Sequence, residues 1–200
     1  KLVDPNWTLN RVQGGLSSGE GMIHHVRDPL ELNGQVIDEG VFDKRLFCYE
    51  PEMAQILAVM DRTGSILSTQ LRQAWDSGNL RVMTKNTPSR ATGAHISLLA
   101  HVTPEELVRC MTSLQAANGY GNRHLWIWVE RSKLLPEGGG NLLLDPLVPK
   151  LRDILDKASR DHYYQRSESA KEAWAGVYPE LTKERSGMSG TLCARNDAHA

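Results

Sequence analysis

Three short apolar runs set what this chain can fold into. Leu46–Tyr49 runs straight into Glu50-Pro51-Glu52, after which Met53, Ile56, Leu57 and Met60 recur at helical spacing. His95–His101, HISLLAH, runs into Thr103-Pro104-Glu105-Glu106, which combines a capping box with proline at the first helical position. The helix it opens is expected to carry Leu107, Val108, Met111 and Leu114 inward. Leu125–Val129, LWIWV, is expected to be a third strand. Continuously apolar strands that alternate with helices indicate an α/β fold with a parallel sheet buried on both faces.

The rest of the chain fits between these runs. Asn10 to Leu16 predicts a strand ending in Gly14-Gly15. Ser17 to Glu20 spells a capping box, so Gly19 to Val26 is expected to be a short helix. Residues 31–42, with Asn33-Gly34, predict a loop or small hairpin. A helix beginning at Gly64-Ser65 is expected to place Ile66, Leu67, Leu71 and Trp75 on one face. Leu80 to Thr84 predicts a strand, and Lys85 to Thr92 a polar basic loop. Asn118 to Asn122, NGYGN, should stop the helix before it. A flexible loop at Pro136 to Gly140 precedes two amphipathic helices, Leu147 to Ala158 and Ser169 to Val177.

Two hundred residues suffice for one domain with a sizeable core. A formal net charge of -1 argues against a generic polyanion binder, but the charge is uneven. From Arg62 to Arg90 the cations are Arg62, Arg72, Arg81, Lys85 and Arg90, and the only acid is Asp76, so a local basic face is expected. The three cysteines, Cys48, Cys110 and Cys193, lie far apart without a CxxC pair, as expected of reduced thiols in a cytoplasmic protein. No apolar run reaches the ~18 residues of a membrane-spanning helix, and no secretory leader is visible. Lys1 in place of Met, and a last stretch without a stop signal, are expected of a piece of a longer protein.

Glu50 and Glu52 fall where a core strand ends and a helix begins, the place where open α/β sheets bind ligands. Nucleotide hydrolases use such acids to hold a Mg²⁺-bound water and polarise an attacking one. The structural alternative is an acid that complements a helix dipole. Gly14 to Gly21, GGLSSGEG, matches the glycines of a phosphate loop, but Glu20 and Gly21 stand where lysine and a hydroxyl residue belong, so it is not expected to cradle phosphate. Glu20 either caps its helix or polarises a water. His101 ends a strand and either senses a phosphate or is satisfied by local backbone. Arg131 and Lys133 follow LWIWV, and Arg123 precedes it; each is either a cation reaching a neighbouring subunit's phosphates or part of a solvated turn. His24-His25 is a poor metal site, because adjacent helical positions diverge by about 100°.

Taken in order, GGLSSGEGMI, DKRLFCYEPEMA, LRQAWDSGNLRVMTKN, TGAHISLLAHVTPEEL and NGYGNRHLWIWVERSKLLPEGG resemble a bacterial, plasmid and phage family of RecA-like ATPase domains. The family is described mostly as a domain of unknown function, and often follows a primase module in replication proteins. The resemblance covers roughly residues 10 to 185. It implies a parallel RecA-like sheet flanked by helices, with residues 1–135 as a partial ATPase core and 136–200 as a linker and helical carboxyl-terminal segment. It implies Leu46–Tyr49 as the Walker B strand, with Glu50 contacting Mg²⁺ indirectly and Glu52 as a second acid. It implies His101 as the γ-phosphate sensor and Arg131 and Lys133 as a trans-acting pair. Arg72, Arg81, Lys85 and Arg90 would face single-stranded DNA in the channel of a homo-oligomeric ring. ATP and Mg²⁺ are the implied cofactors, yet the family's Walker A loop lies upstream of these residues and no GK[ST] occurs in them. Two other readings stand beside this one. The first is a non-catalytic nucleic-acid-binding or oligomerisation module. The second is a metal nuclease using Glu50 and Glu52 with His101.

Overall fold

The computed structural model describes residues 3–83, 88–112, 114–115, 118–159, 164–181 and 183. Its centre is a parallel sheet of three strands in the order β1-β4-β7: β1 (Val12–Gln13), β4 (Arg45–Glu50) and β7 (His95–Ala100). Two antiparallel pairs accompany it, β2 (Leu30–Leu32) with β3 (Gln35–Asp38), and β5 (Leu80–Val82) with β6 (Ser89–Ala91). The β2–β3 turn is Asn33-Gly34, both at positive φ (52° and 77°), which is why that dipeptide marks a tight hairpin. The helices are α1 (Pro5–Asn10), α2 (Gly19–His24), α3 (Met53–Met60), α4 (Leu67–Asp76), α5 (Pro104–Cys110), α6 (Val148–Ala158) and α7 (Glu168–Leu181). The mixed α/β class with a parallel sheet is therefore as expected.

One face of the sheet carries the core. Leu46 and Cys48 of β4 join Met22 and Ile23 of α2, Val26 just after it, and Leu80 and Ala91 of the β5–β6 ribbon. Met53, Ile56, Leu57 and Met60 of α3 pack with Leu67 and Tyr120 in a second cluster. Each fully buried aliphatic side chain contributes about 1.5–3 kcal/mol. Arg11 is buried too, but its guanidinium donates to the carbonyls of Arg45 and His25, tying β1 to β4 and to the end of α2.

Several expectations need correction. The sheet is not buried on both faces: Tyr49 and Leu99 are 42% and 47% exposed on the face opposite the core, where the Trp7 ring lies against Phe47. Leu125–Val129 has no regular secondary structure and pairs with no strand among the described residues, and Ile127, Trp128 and Val129 are 70% or more exposed. The first strand is shorter than Asn10–Leu16, because Asn10 closes α1, a helix capped by Asp4 that the sequence pattern did not suggest. Residues 89–91 are a strand rather than loop, and Trp75, Val108 and Leu114 are exposed rather than inward. Ser18, not Ser17, caps α2 by accepting from Gly21 N–H, so no capping box forms with Glu20. Thr103 and Glu106 do form theirs.

Among the described residues no strand pairs with the far edge of β7. His95 and His101 donate their amides to Lys44 and Glu50 of the β4 side. By the alternation of a parallel ladder, the amides of Ile96, Leu98 and Ala100 face that far edge. Among the described residues no helix is long and apolar enough to cross a membrane.

Candidate functional site

The site begins at the carboxyl end of β4. Glu50, only 8% exposed, accepts the amide of Leu16 at 2.7 Å through Oε1. That bond ties the glycine loop between β1 and α2 to the strand end, across 34 residues of chain. A Cβ on Gly14 would crowd Tyr49 O at 3.0 Å, so glycine is what lets the loop lie this close to the strand end. Loop and strand enclose a small pocket of about 90 Å³ lined by Gly14, Gly15, Leu16, Ser17, Ser18, Gly21, His25, Cys48 and Glu50, among others. Burial pushes the Cys48 thiol up to about 11, so it stays protonated and inert at neutral pH. Burial, and then the nearby His24, Arg11 and Arg27, hold His25 below its ordinary value, so its ring is neutral at neutral pH.

These residues do not fit a triphosphate. No lysine or arginine lines the pocket, a carboxylate does, and the Leu16 amide is already taken by Glu50. The volume is also well short of the roughly 300–1,000 Å³ of a small-molecule site.

The other expected residues are scattered. Glu52 is the exposed N-cap of α3, makes no capping bond, and accepts from Gln55 at 2.5 Å. Glu20 is exposed in the first turn of α2 and does not line the pocket. His101 is exposed, its ring edge-on to Tyr49 at 5.7 Å on the face away from the core, while its backbone carbonyl accepts from Met53. The geometry therefore does not gather Glu50, Glu52 and His101 as a nuclease would need. Among the described residues no group of three or more His, Cys, Asp or Glu converges as a metal site. Arg123 is a clamp: it grips Asp76 with Nε and Nη2 at 2.8–3.0 Å and donates Nη1 to Gly119 O. A guanidinium so occupied is not available to a neighbouring subunit. Arg131 and Lys133 are exposed on the irregular stretch after Val129.

The basic residues separate likewise. Arg72 is half-buried and donates to Asn118 O and Thr69. Arg81 and Arg90 are exposed and directly opposite each other across β5–β6. Lys85 lies outside the described residues. Asp28, which sequence reasoning missed, anchors the ribbon: it accepts from Lys44 Nζ, from Thr92 N–H and Oγ1, and its own amide donates to Arg90 O. Burial alone would raise its pKa, but the Lys44 and Thr92 hydrogen bonds outweigh it and the carboxyl sits below 3.8. A depressed folded pKa means the anchor stabilises the fold above about pH 4 and fades as pH falls through the folded value. The Thr92 amide shift is expected to titrate with a midpoint below 3.8; a midpoint at or above that value would contradict the anchor.

Neither a scan of protein-family models nor searches of characterised proteins and solved structures matches this chain.

Proposed function

We propose that this chain is the carboxyl-side part of a RecA-like ATPase that acts on DNA during replication of a mobile element or bacterial genome. One observation carries the reading. The parallel sheet has a central strand, β4, ending in the buried acid Glu50, beside an apolar strand, β7, whose outer edge pairs with no strand among the described residues. Apolar parallel strands are normally covered on both sides. A further strand bearing the phosphate loop belongs at that edge, because the residues present do not hold a triphosphate themselves. Arg131 and Lys133, both exposed, suit contact with a neighbouring copy in a homo-oligomer.

A second reading is a nucleic-acid-binding module without turnover, favoured by the pocket that lacks a cation. ATP hydrolysis by the intact protein, with and without single-stranded DNA, separates them. DNA-stimulated turnover supports the ATPase. DNA binding with no turnover at all rejects it for the second reading.

A further inference from the structure

Two antiparallel ribbons leave the core at one corner of the molecule. Asp28, at the root of the β2–β3 hairpin, donates its amide to Arg90 O in β6 and accepts from Thr92 N–H and Oγ1. Both ribbons are held firmly there. Lys44 Nζ donates to Val26 O, Arg27 O and Asp28 Oδ1, and Arg27 grips the Asp38 carboxylate at 2.6 and 3.0 Å. At the base of β5–β6, Gln70 donates to Arg81 O and Ala94 N–H to Gly78 O.

Beyond its root the hairpin is uncovered. Every residue from Glu31 to Ile37 is exposed, and Leu32, Val36, Ile37 and Phe42 are each more than half exposed. Val36 pairs with Glu31 and Leu32 with Gln35, so each face of the hairpin carries an apolar side chain. A two-stranded hairpin is marginal in water on its own and gains stability from a surface packed against it. Its charge is one-sided as well. Residues 28–43 hold five carboxylates, Asp28, Glu31, Asp38, Glu39 and Asp43, and no lysine or arginine. Lys44, Arg27 and Arg45 answer Asp28, Asp38 and Asp43. Glu31 and Glu39 are exposed and have no ion pair among the described residues.

The β5–β6 ribbon has the opposite character. Residues 77–93 hold Arg81, Lys85 and Arg90 and no carboxylate. Arg81 lies directly opposite Arg90, and like charges so placed are destabilising. Arg90 is ion-paired with Asp28 at 3.6 Å. Arg81 is exposed, has no ion pair among the described residues, and is followed by the exposed Met83.

We propose that these two ribbons form a twofold interface, in which the acidic, apolar hairpin of one copy lies on the basic ribbon of a second copy, and the reverse. A lone acidic hairpin would suit any basic partner; the presence of both patches on one chain, rooted at one corner, selects a second copy. A single twofold axis beside that corner makes the two contacts reciprocal. Glu31 and Glu39 then meet Arg81, and the exposed apolar side chains of the hairpin meet Met83. Counted over both contacts, this buries on the order of 1,000 Å², the low end for specific interfaces, so the dimer is weak and salt-sensitive. The inference does not rest on the DNA-acting reading.

The test is sedimentation equilibrium of the whole chain at micromolar concentrations, in low and high salt. Wild type should form a two-chain species that weakens as salt rises. Glu31→Lys combined with Glu39→Lys should weaken it at least about tenfold, because like charges then meet across the interface. Arg81→Glu should do the same with Tm unchanged or raised, since it removes a like-charge neighbour of Arg90. Mixing the two variants should restore the two-chain species as a heterodimer, with the charges of both contacts exchanged. Arg62→Glu, at an exposed cation outside the ribbon, should leave the mass unchanged. Glu31→Gln with Glu39→Gln introduces no new charge, and should weaken the dimer and flatten its salt dependence. A dimer unaffected by that neutral variant overturns the proposal. So do a wild type that stays monomeric, a mixture that restores nothing, and an assembly that survives both reversals. An Arg81→Glu chain that keeps its two-chain mass but no longer binds labelled oligo-dT assigns the ribbon to nucleic acid and overturns the interface.

Discussion

Glu50→Gln is expected to lower ATP turnover of the intact protein by about 10²–10⁴-fold, the range that a positioned acid or base supplies. The fold should survive, because the glutamine oxygen can still accept the Leu16 amide that Glu50 Oε1 holds at 2.7 Å. Glu50→Ala should behave differently. It leaves that amide without its partner at a position 8% exposed, at a cost of about 1–3 kcal/mol, and loosens the glycine loop as well. Glu52→Gln is the informative comparison. Glu52 and Glu50 are equivalent in the sequence pattern, but Glu52 is exposed and bonded only locally, to Gln55. Its turnover should stay near wild type. Steady-state hydrolysis with denaturation midpoints measured in parallel checks all three variants. Wild-type turnover in Glu50→Gln would remove the assignment.

Tyr120→Ala is expected to destabilise the protein by about 3–5 kcal/mol, the cost of deleting a large ring from a packed core. Tyr120 is fully buried, packs with Leu57 and Leu67, and lies 4.5 Å from the His124 ring between centroids. Its hydroxyl is buried and finds no hydrogen-bond partner among the described residues. Burial accordingly drives the phenol pKa well upward. Removing only that oxygen, in Tyr120→Phe, should be neutral or stabilising by up to about 1 kcal/mol. Urea denaturation of both variants decides the matter. A phenylalanine variant as damaged as the alanine one would mean that the hydroxyl is satisfied.

Much of this architecture was legible because its signals are local. Asn33-Gly34 marks a hairpin by backbone preference, Thr103 and Glu106 mark a helix start by reciprocal bonds, and Leu46–Tyr49 marks a core strand by apolar content. What stayed hidden depends on distant pairing. Tyr120 sits inside NGYGN, where glycines and asparagines suggest a turn, and only the tertiary packing makes it core. Ser89–Ala91 is too polar and short to look like a strand, yet Leu80 and Val82 supply its partner. The Glu50–Leu16 bond joins residues 34 apart, so neither end announces it. Ser17 and Ser18 both spell a plausible cap, and the backbone settles on Ser18. Leu125–Val129 has the composition of a strand, but composition does not supply a neighbour.

The outer edge of β7 is the point on which the RecA-like reading turns. The amides of Ile96, Leu98 and Ala100 face away from β4, whereas those of His95 and His101 donate toward it. Hydrogen exchange resolved to single amides in the intact protein reads the two sets separately. If a further strand carrying the phosphate loop pairs with β7, Ile96, Leu98 and Ala100 exchange as slowly as the amides bonded to β4. Rapid exchange at those three positions beside protected His95 and His101 would mean that the edge is free, and would contradict the RecA-like reading.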